Sequence, residues 1–136
     1  MKKYEILEHK ADLKIRVFGK DLKELFENAM IGMFASAKYE KDVKSQKSKV
    51  TIKVKSLDLP SLLVDFLSEV LYSSEINREI YHQIQFRKFG DKNLAGILSG
   101  KKLKRVGVII KGVTYHDLEI RQKEDKTWEA TVLFDI

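Results

Sequence analysis

The patterning of this sequence predicts an α+β fold, a two-layer sandwich of two helices on an antiparallel β-sheet. Three observations predict it. Two stretches repeat apolar residues at helical spacing. Several others alternate apolar and polar residues at period two. Short Gly-containing or charged segments join the later period-two stretches in succession, as hairpins do. A length of 136 residues suits one domain, residues 1–136, with one real core. No internal repeat, low-complexity tract or linker divides it.

Taken in order, Asp12 to Gly19 alternates. Leu13, Ile15 and Val17 face one way and Asp12, Lys14 and Arg16 the other, which describes a half-buried strand closed by Gly19. Asp21 then caps a helix, with Glu24 three residues on completing a capping pattern. Leu22, Leu25, Phe26, Ala29, Met33 and Phe34 form its apolar face. Residues 38–49 are expected to be a polar loop, followed by a strand in which Val50, Ile52 and Val54 alternate with Thr51, Lys53 and Lys55. Asp58 and Pro60 open a second helix, whose stripe runs from Leu59 through Phe66 to Leu71.

From Arg78 the period shortens to two. Ile80, His82, Ile84 and Phe86 alternate with Tyr81, Gln83, Gln85 and Arg87. Gly90 to Asn93 is a turn and Leu94 to Ser99 the returning strand. Gly100 to Lys104 is expected to be a basic loop and Val106 to Ile110 a short strand. Tyr115–Arg121 and Thr127–Asp135 then form a hairpin around Lys123–Lys126. In its last strand Trp128, Ala130, Val132 and Phe134 point inward, while Glu129, Thr131 and Asp135 share the polar face.

Composition removes whole classes of function. The absence of cysteine excludes disulfides, thiolate zinc sites and cysteine nucleophiles. No apolar stretch follows the first lysines, so the N-terminus does not read as a signal peptide. No run approaches the roughly 20 apolar residues of a membrane span. A soluble, cytoplasmic protein with no membrane contact is expected. The net charge of +6 favours acidic partners, RNA among them. Gly-rich phosphate loops, His-Glu-x-x-His helices and Gly-x-Ser-x-Gly elbows are all missing. His9, His82 and His116 are too dispersed in sequence to suggest a zinc triad. His82 lies on the apolar parity of its strand and is expected to be a hydrogen-bonded histidine at the core or its border.

The residues best suited to chemistry stand at the two ends of the chain. Asp135 and Ile136 place a side-chain carboxylate beside a terminal one, and Glu8-His9-Lys10-Ala11-Asp12 supplies an acidic loop. If these meet on one edge, three carboxylates converge, and like charges at that range raise one another's pKa or recruit a cation. Oxygen-only ligation suits a hard ion such as calcium or magnesium.

Three of these segments, Glu8-His9-Lys10-Ala11-Asp12, Lys111-Gly112-Val113-Thr114-Tyr115-His116 and Val132-Leu133-Phe134-Asp135-Ile136, closely resemble the archease family. Asp21–Ala29 and Leu63–Tyr72 look like that family's two helices. The resemblance runs through essentially the whole chain in order. It implies a cytoplasmic activator, not itself an enzyme. Its target is the RNA ligase that joins 2′,3′-cyclic-phosphate or 3′-phosphate ends to 5′-hydroxyl ends in tRNA splicing, and it promotes guanylylation of that ligase and its repeated turnover. It also implies a divalent ion, usually calcium, held at the positions of Asp12, Asp135 and Ile136. Beside them His9, Lys111 and His116 are expected to contact a partner or a phosphate. Lys10 departs from the family's usual threonine, and Lys14 stands near a position usually small. Both add positive charge next to the acidic cluster. Two other readings compete. One is a weak RNA-binding module using the lysines of 38–55, and the other is a metal-dependent hydrolase using Asp12 and Asp135.

Overall fold

The computed structural model describes residues 1–7 and 12–136, apart from the side chain of Asp117. Eight strands and two helices follow one another: β1 (Tyr4–Leu7), β2 (Asp12–Gly19), α1 (Leu22–Ser36), β3 (Glu40–Lys41), β4 (Ser48–Lys55), α2 (Leu59–Asn77), β5 (Glu79–Phe89), β6 (Asn93–Arg105), β7 (Gly112–Gln122) and β8 (Trp128–Asp135). The α+β class holds, with two helices on antiparallel strands. The strands form two sheets where one was expected. The first has the order β1-β2-β8-β7. In the second, β6 is flanked by β5 on one side and by β4 and β3 on the other. Each helix touches both sheets: α1 packs on β2, β1, β8 and β5, and α2 on β7, β4 and β5.

Local chemistry sets the helix starts. The Asp21 carboxylate accepts from Glu24 N at 2.8 Å, satisfying one of the donors that α1 leaves unpaired, and Glu24 Oε1 accepts from Lys20 N, just before the cap, at 3.0 Å. Asp58 accepts from Ser61 N at 2.8 Å, with Pro60 in the first turn of α2. The predicted apolar faces are the buried ones, Leu25, Phe26, Ala29, Met33 and Phe34 on α1 and Leu62 through Leu71 on α2. They meet Ile15 and Val17 of β2, Val132 and Phe134 of β8 and Leu98 of β6 in one core.

Adjacent polar residues of α1 reach the two sheets. Asn28 Nδ2 donates to Phe18 O of β2 at 2.7 Å, and Glu27 Oε2 accepts from Ile84 N of β5 at 2.9 Å. Each satisfies a backbone group that the strand ladder leaves over.

Other boundaries moved. Tyr4–Leu7 is a strand, paired along β2 from Tyr4 opposite Val17 to Leu7 opposite Lys14. The expected polar loop of 38–49 contains the short β3 and the start of β4. The expected basic loop of 100–104 is the second half of β6, drawn straight by pairing with β3 and β5, and 106–110 is not a strand. β7 begins at Gly112, three residues before the expected start.

The parity of β5 also changes. A bulge between Tyr81 and Gln83 turns Tyr81 into the core, where it is fully buried. Burial pushes its phenol up to about 12. His82 is left half-buried, and its Nδ1 is buried with no hydrogen-bond partner among the described residues, contrary to the expected bonded histidine. Burial, then the charges of Lys41, Lys47 and Lys101, hold its pKa below the ordinary 6.5, with Glu27 acting weakly the other way.

Opposite the bulge stands Gly100 of β6. A Cβ there would lie 2.0 Å from Ile80 O and 2.8 Å from the Tyr81 ring, so backbone would have to move. Gly100→Ala is expected to lower the free energy of unfolding in urea by about 3 kcal/mol, an overpacking cost. Gly90→Ala, whose Cβ would meet nothing closer than 3.7 Å, should change it by less than about 0.5 kcal/mol. His82 gives a pH signature. Its folded pKa is depressed, so below about pH 6.5 the unfolded chain binds the extra proton and stability falls as pH falls. Urea unfolding between about pH 7.5 and pH 5 should show a shallower loss for His82→Gln than for the natural chain.

Candidate functional site

The central pair of the first sheet joins the two ends of the chain. β2 runs against β8 from Gly19 opposite Trp128 to Asp12 opposite Asp135. Directly opposed residues share a face and stand about 4.5–5.5 Å apart at Cα. The core face of this pair is Leu13, Ile15 and Val17 against Phe134, Val132 and Ala130. Asp12 and Asp135 therefore share the other face, at its end. Asp135 is exposed, Asp12 is half-buried, and Ile136 follows with 37% of its surface open.

Other elements converge there. Gly112 of β7 is opposite Asp135, and Lys111 N donates to Asp135 O at 2.7 Å. The exposed Lys111 is thus placed beside the acid pair. The Asp135 carboxylate makes no ion pair among the described residues. Farther along this face Arg16 is engaged by Glu5 at 3.3 Å and lies 4.0 Å from Glu129, which Arg121 grips at 2.8 Å. That ladder crosses all four strands and draws the arginines toward the far end of the face.

The donor chemistry fits a hard divalent cation, since two opposed carboxylates offer only oxygen. Among the described residues no three His, Cys, Asp or Glu side chains gather as an ion site. The acid pair would therefore be completed from elsewhere. His9 and Lys10 lie outside the described residues. His116 is exposed in β7, with its N–H on Thr114 Oγ1 at 3.0 Å. Thr114 pairs with Leu133, so His116 stands inboard of the acid pair rather than beside it.

Sequence reasoning missed a clamp on this part of β7. Between Thr114 opposite Leu133 and Glu119 opposite Thr131 the strand advances five residues against two, so residues 115–118 bulge out of register. Tyr115 Oη donates to Asp65 Oδ1 on α2 at 2.7 Å, and Ser56 Oγ donates to the other oxygen of the same carboxylate. Donating to Asp65 raises the Tyr115 pKa. The only sequence signal was Asp65 itself, an acid at the border of an otherwise apolar stripe.

Comparison with known proteins agrees along the whole chain. The Archease protein family (MTH1598/TM1083) matches residues 4–136. An archease of Methanosarcina mazei is 36% identical, over 99% of this chain and 97% of its own length. One from Pyrococcus furiosus is 32% identical over the full length of both. The solution structure of a Methanobacterium thermoautotrophicum protein superposes with a TM-score of 0.68 at 28% identity, covering both chains completely. The crystal structure of a Thermotoga maritima archease gives the same TM-score at 19% identity over 96% of this chain and 94% of its own, a likeness of fold.

Tyr115→Phe removes the clamp's donor and keeps the ring. It is expected to lower stability by about 1 kcal/mol. Amide hydrogen exchange should quicken at residues 113–118 and stay unchanged along β2. Equal exchange in both proteins would show that the clamp does not hold the bulge.

Proposed function

The chain belongs to the archease family, and from that premise we propose that it activates the RNA ligase joining 3′-phosphate to 5′-hydroxyl ends in tRNA splicing, without being a ligase itself. The proposal includes a divalent cation, calcium by donor chemistry, at Asp12, Asp135 and Ile136. One observation carries the site: the β2–β8 register puts Asp12 directly opposite Asp135 on an outward face. A strand slip of one residue would put one of the two on the core side, so the pair is held together by everything that fixes that register.

Each residue has a definable part. Asp12 and Asp135 would hold the cation, and the exposed Asp135 would present it at the protein surface. Bound there, the cation would supply positive charge for a phosphate or an acidic group of the partner. Lys111, tied by its own N–H to Asp135 O, adds a cation at the same end. The half-buried Lys14, next on this face after Asp12, adds another and lowers the affinity for the ion electrostatically. Among the described residues no helix is long and apolar enough to cross a membrane; a cytoplasmic setting is part of the proposal.

Asp135→Asn removes one charge at an exposed strand end and leaves Phe134 and Val132 in the core, so the fold should persist. Ligase guanylylation followed over time is expected to be stimulated by the natural protein and at least about tenfold less by Asp135→Asn. Calcium titration by calorimetry should lose its heat in the same variant. Full stimulation by folded Asp135→Asn would remove the acid pair from the mechanism. No stimulation by the natural protein would remove the activator reading.

A further inference from the structure

The outward faces of the two sheets are charged on different plans. On the first, acids and bases alternate and pair across strands, Glu5–Arg16–Glu129–Arg121. On the second, β4 and β6 contain no acidic residue, β5 contains one, Glu79, which lies at its start and accepts from Tyr81 Oη at 2.9 Å, and the short β3 contains one, Glu40, paired with Arg105 at 3.2 Å at the far end of β6. Lys49, Lys53 and Lys55 share the exposed face of β4, alternating with the buried Ile52 and Val54. Lys53 and Lys88 stand opposite each other across Ala95 of β6. Because Ala95 is small, the lysines flank a shallow cleft of about 430 Å³, lined also by Lys55 and Asn93. No ion pair among the described residues engages these four lysines.

We propose that this face of β4, β6 and β5 holds the phosphate backbone of single-stranded RNA, with the Lys53–Ala95–Lys88 cleft at its centre. The spacing suits a strand of charges. Lys53 and Lys55 lie about 7 Å apart, Lys49 about 13 Å farther along, and Lys88 about 10 Å across two strand spacings. Thr51, Gln85 and Asn93 share this face with them, and such side chains donate to phosphate oxygens. An acidic protein partner fits less well. Protein interfaces are depleted of lysine and anchored by aromatic residues and arginine, and this face turns Phe86 and Phe89 inward. The same lack of aromatics removes base stacking, so the contact is with the backbone and is blind to sequence.

Guarding a sheet edge explains lysines on β4. It explains Lys88 too, since β5 is the other edge of this sheet, but not the lack of a carboxylate on the outward faces of β4, β6 and β5 around these lysines, since the edge strand β1 of the first sheet carries a paired Glu5. Lys101 takes no part, because its ammonium donates to Val43 O at 2.8 Å and Ser45 O at 3.0 Å. The inference stands independently of the acid pair and of the ligase.

The test is fluorescence anisotropy of a labelled 12-nucleotide oligouridylate titrated with the full chain at increasing salt. Engagement of three to four phosphates predicts a log–log slope of about −2 to −3, at roughly 0.7 per phosphate for single strands. Lys53→Gln/Lys88→Gln should weaken binding about tenfold or more and flatten the slope by about 1.4. Lys3→Gln/Lys23→Gln, with the same loss of net charge at exposed sites elsewhere, should bind as the natural chain does. Circular dichroism checks each fold. An oligothymidylate of equal length should bind within about threefold. The inference is overturned by absent or salt-independent binding, by equal losses in both double variants, or by strong preference for one sugar or sequence. Competition by polyglutamate as effective as RNA would overturn it in favour of an acidic protein partner.

Discussion

The pairing of β2 with β8 is the constraint on which the rest of this molecule depends. It joins residues near opposite ends of the chain, and the entropy of closing so long a loop is offset only by what the pair buries. Ile15, Val17, Val132 and Phe134 are fully buried on its inner side, and they fix the register. A slip of one residue would turn the inner pair of one strand toward solvent, either Ile15 and Val17 or Val132 and Phe134. The inner face therefore dictates where the outer residues fall, and the opposition of Asp12 to Asp135 follows from a hydrophobic requirement on the other side of the same strands.

Helix α1 then couples this pair to the second sheet. Its apolar face fills the common core, while the neighbouring Glu27 and Asn28 each complete a backbone hydrogen bond on a different sheet. Glu27 accepts from the N–H of Ile84, close to the bulge that buries Tyr81. That bulge in turn needs the bare backbone of Gly100. The helix anchor, the bulge and the glycine are thus one structural device. It orients β5 and β6, and with them the lysines that flank Ala95. Asp65 and Tyr115 do similar work between α2 and β7, bracing the out-of-register stretch inboard of Lys111. The two candidate surfaces are built by separate strand pairs over one core, which is why a substitution at either can leave the other standing.

Both helices and their caps were legible in the sequence because their causes are local. A capping side chain and an apolar repeat act within a few residues, so Asp21, Glu24, Asp58 and the stripes they precede could be read directly. The alternation of β2, β4 and β8 was equally plain, and so was the placing of Asp12 and Asp135 on outward faces. The archease resemblance rested on short segments in order and was legible for the same reason. What local patterning could not decide was which strand lies beside which. Pairing with β5 and β3 turned the expected loop at 100–104 into strand, and the division into two sheets exists only in the long-range ladders. The bulge that exchanges Tyr81 for His82 interrupts a period that looked regular, because its cause is the contact with Gly100 on another strand. The opposition of Asp12 and Asp135, the Tyr115–Asp65 clamp and the lysines across Ala95 join residues dozens of positions apart. The sequence determined which faces are apolar and which charged. Tertiary structure decided which charges meet, because that depends on register, and register is set by the packing of the whole core.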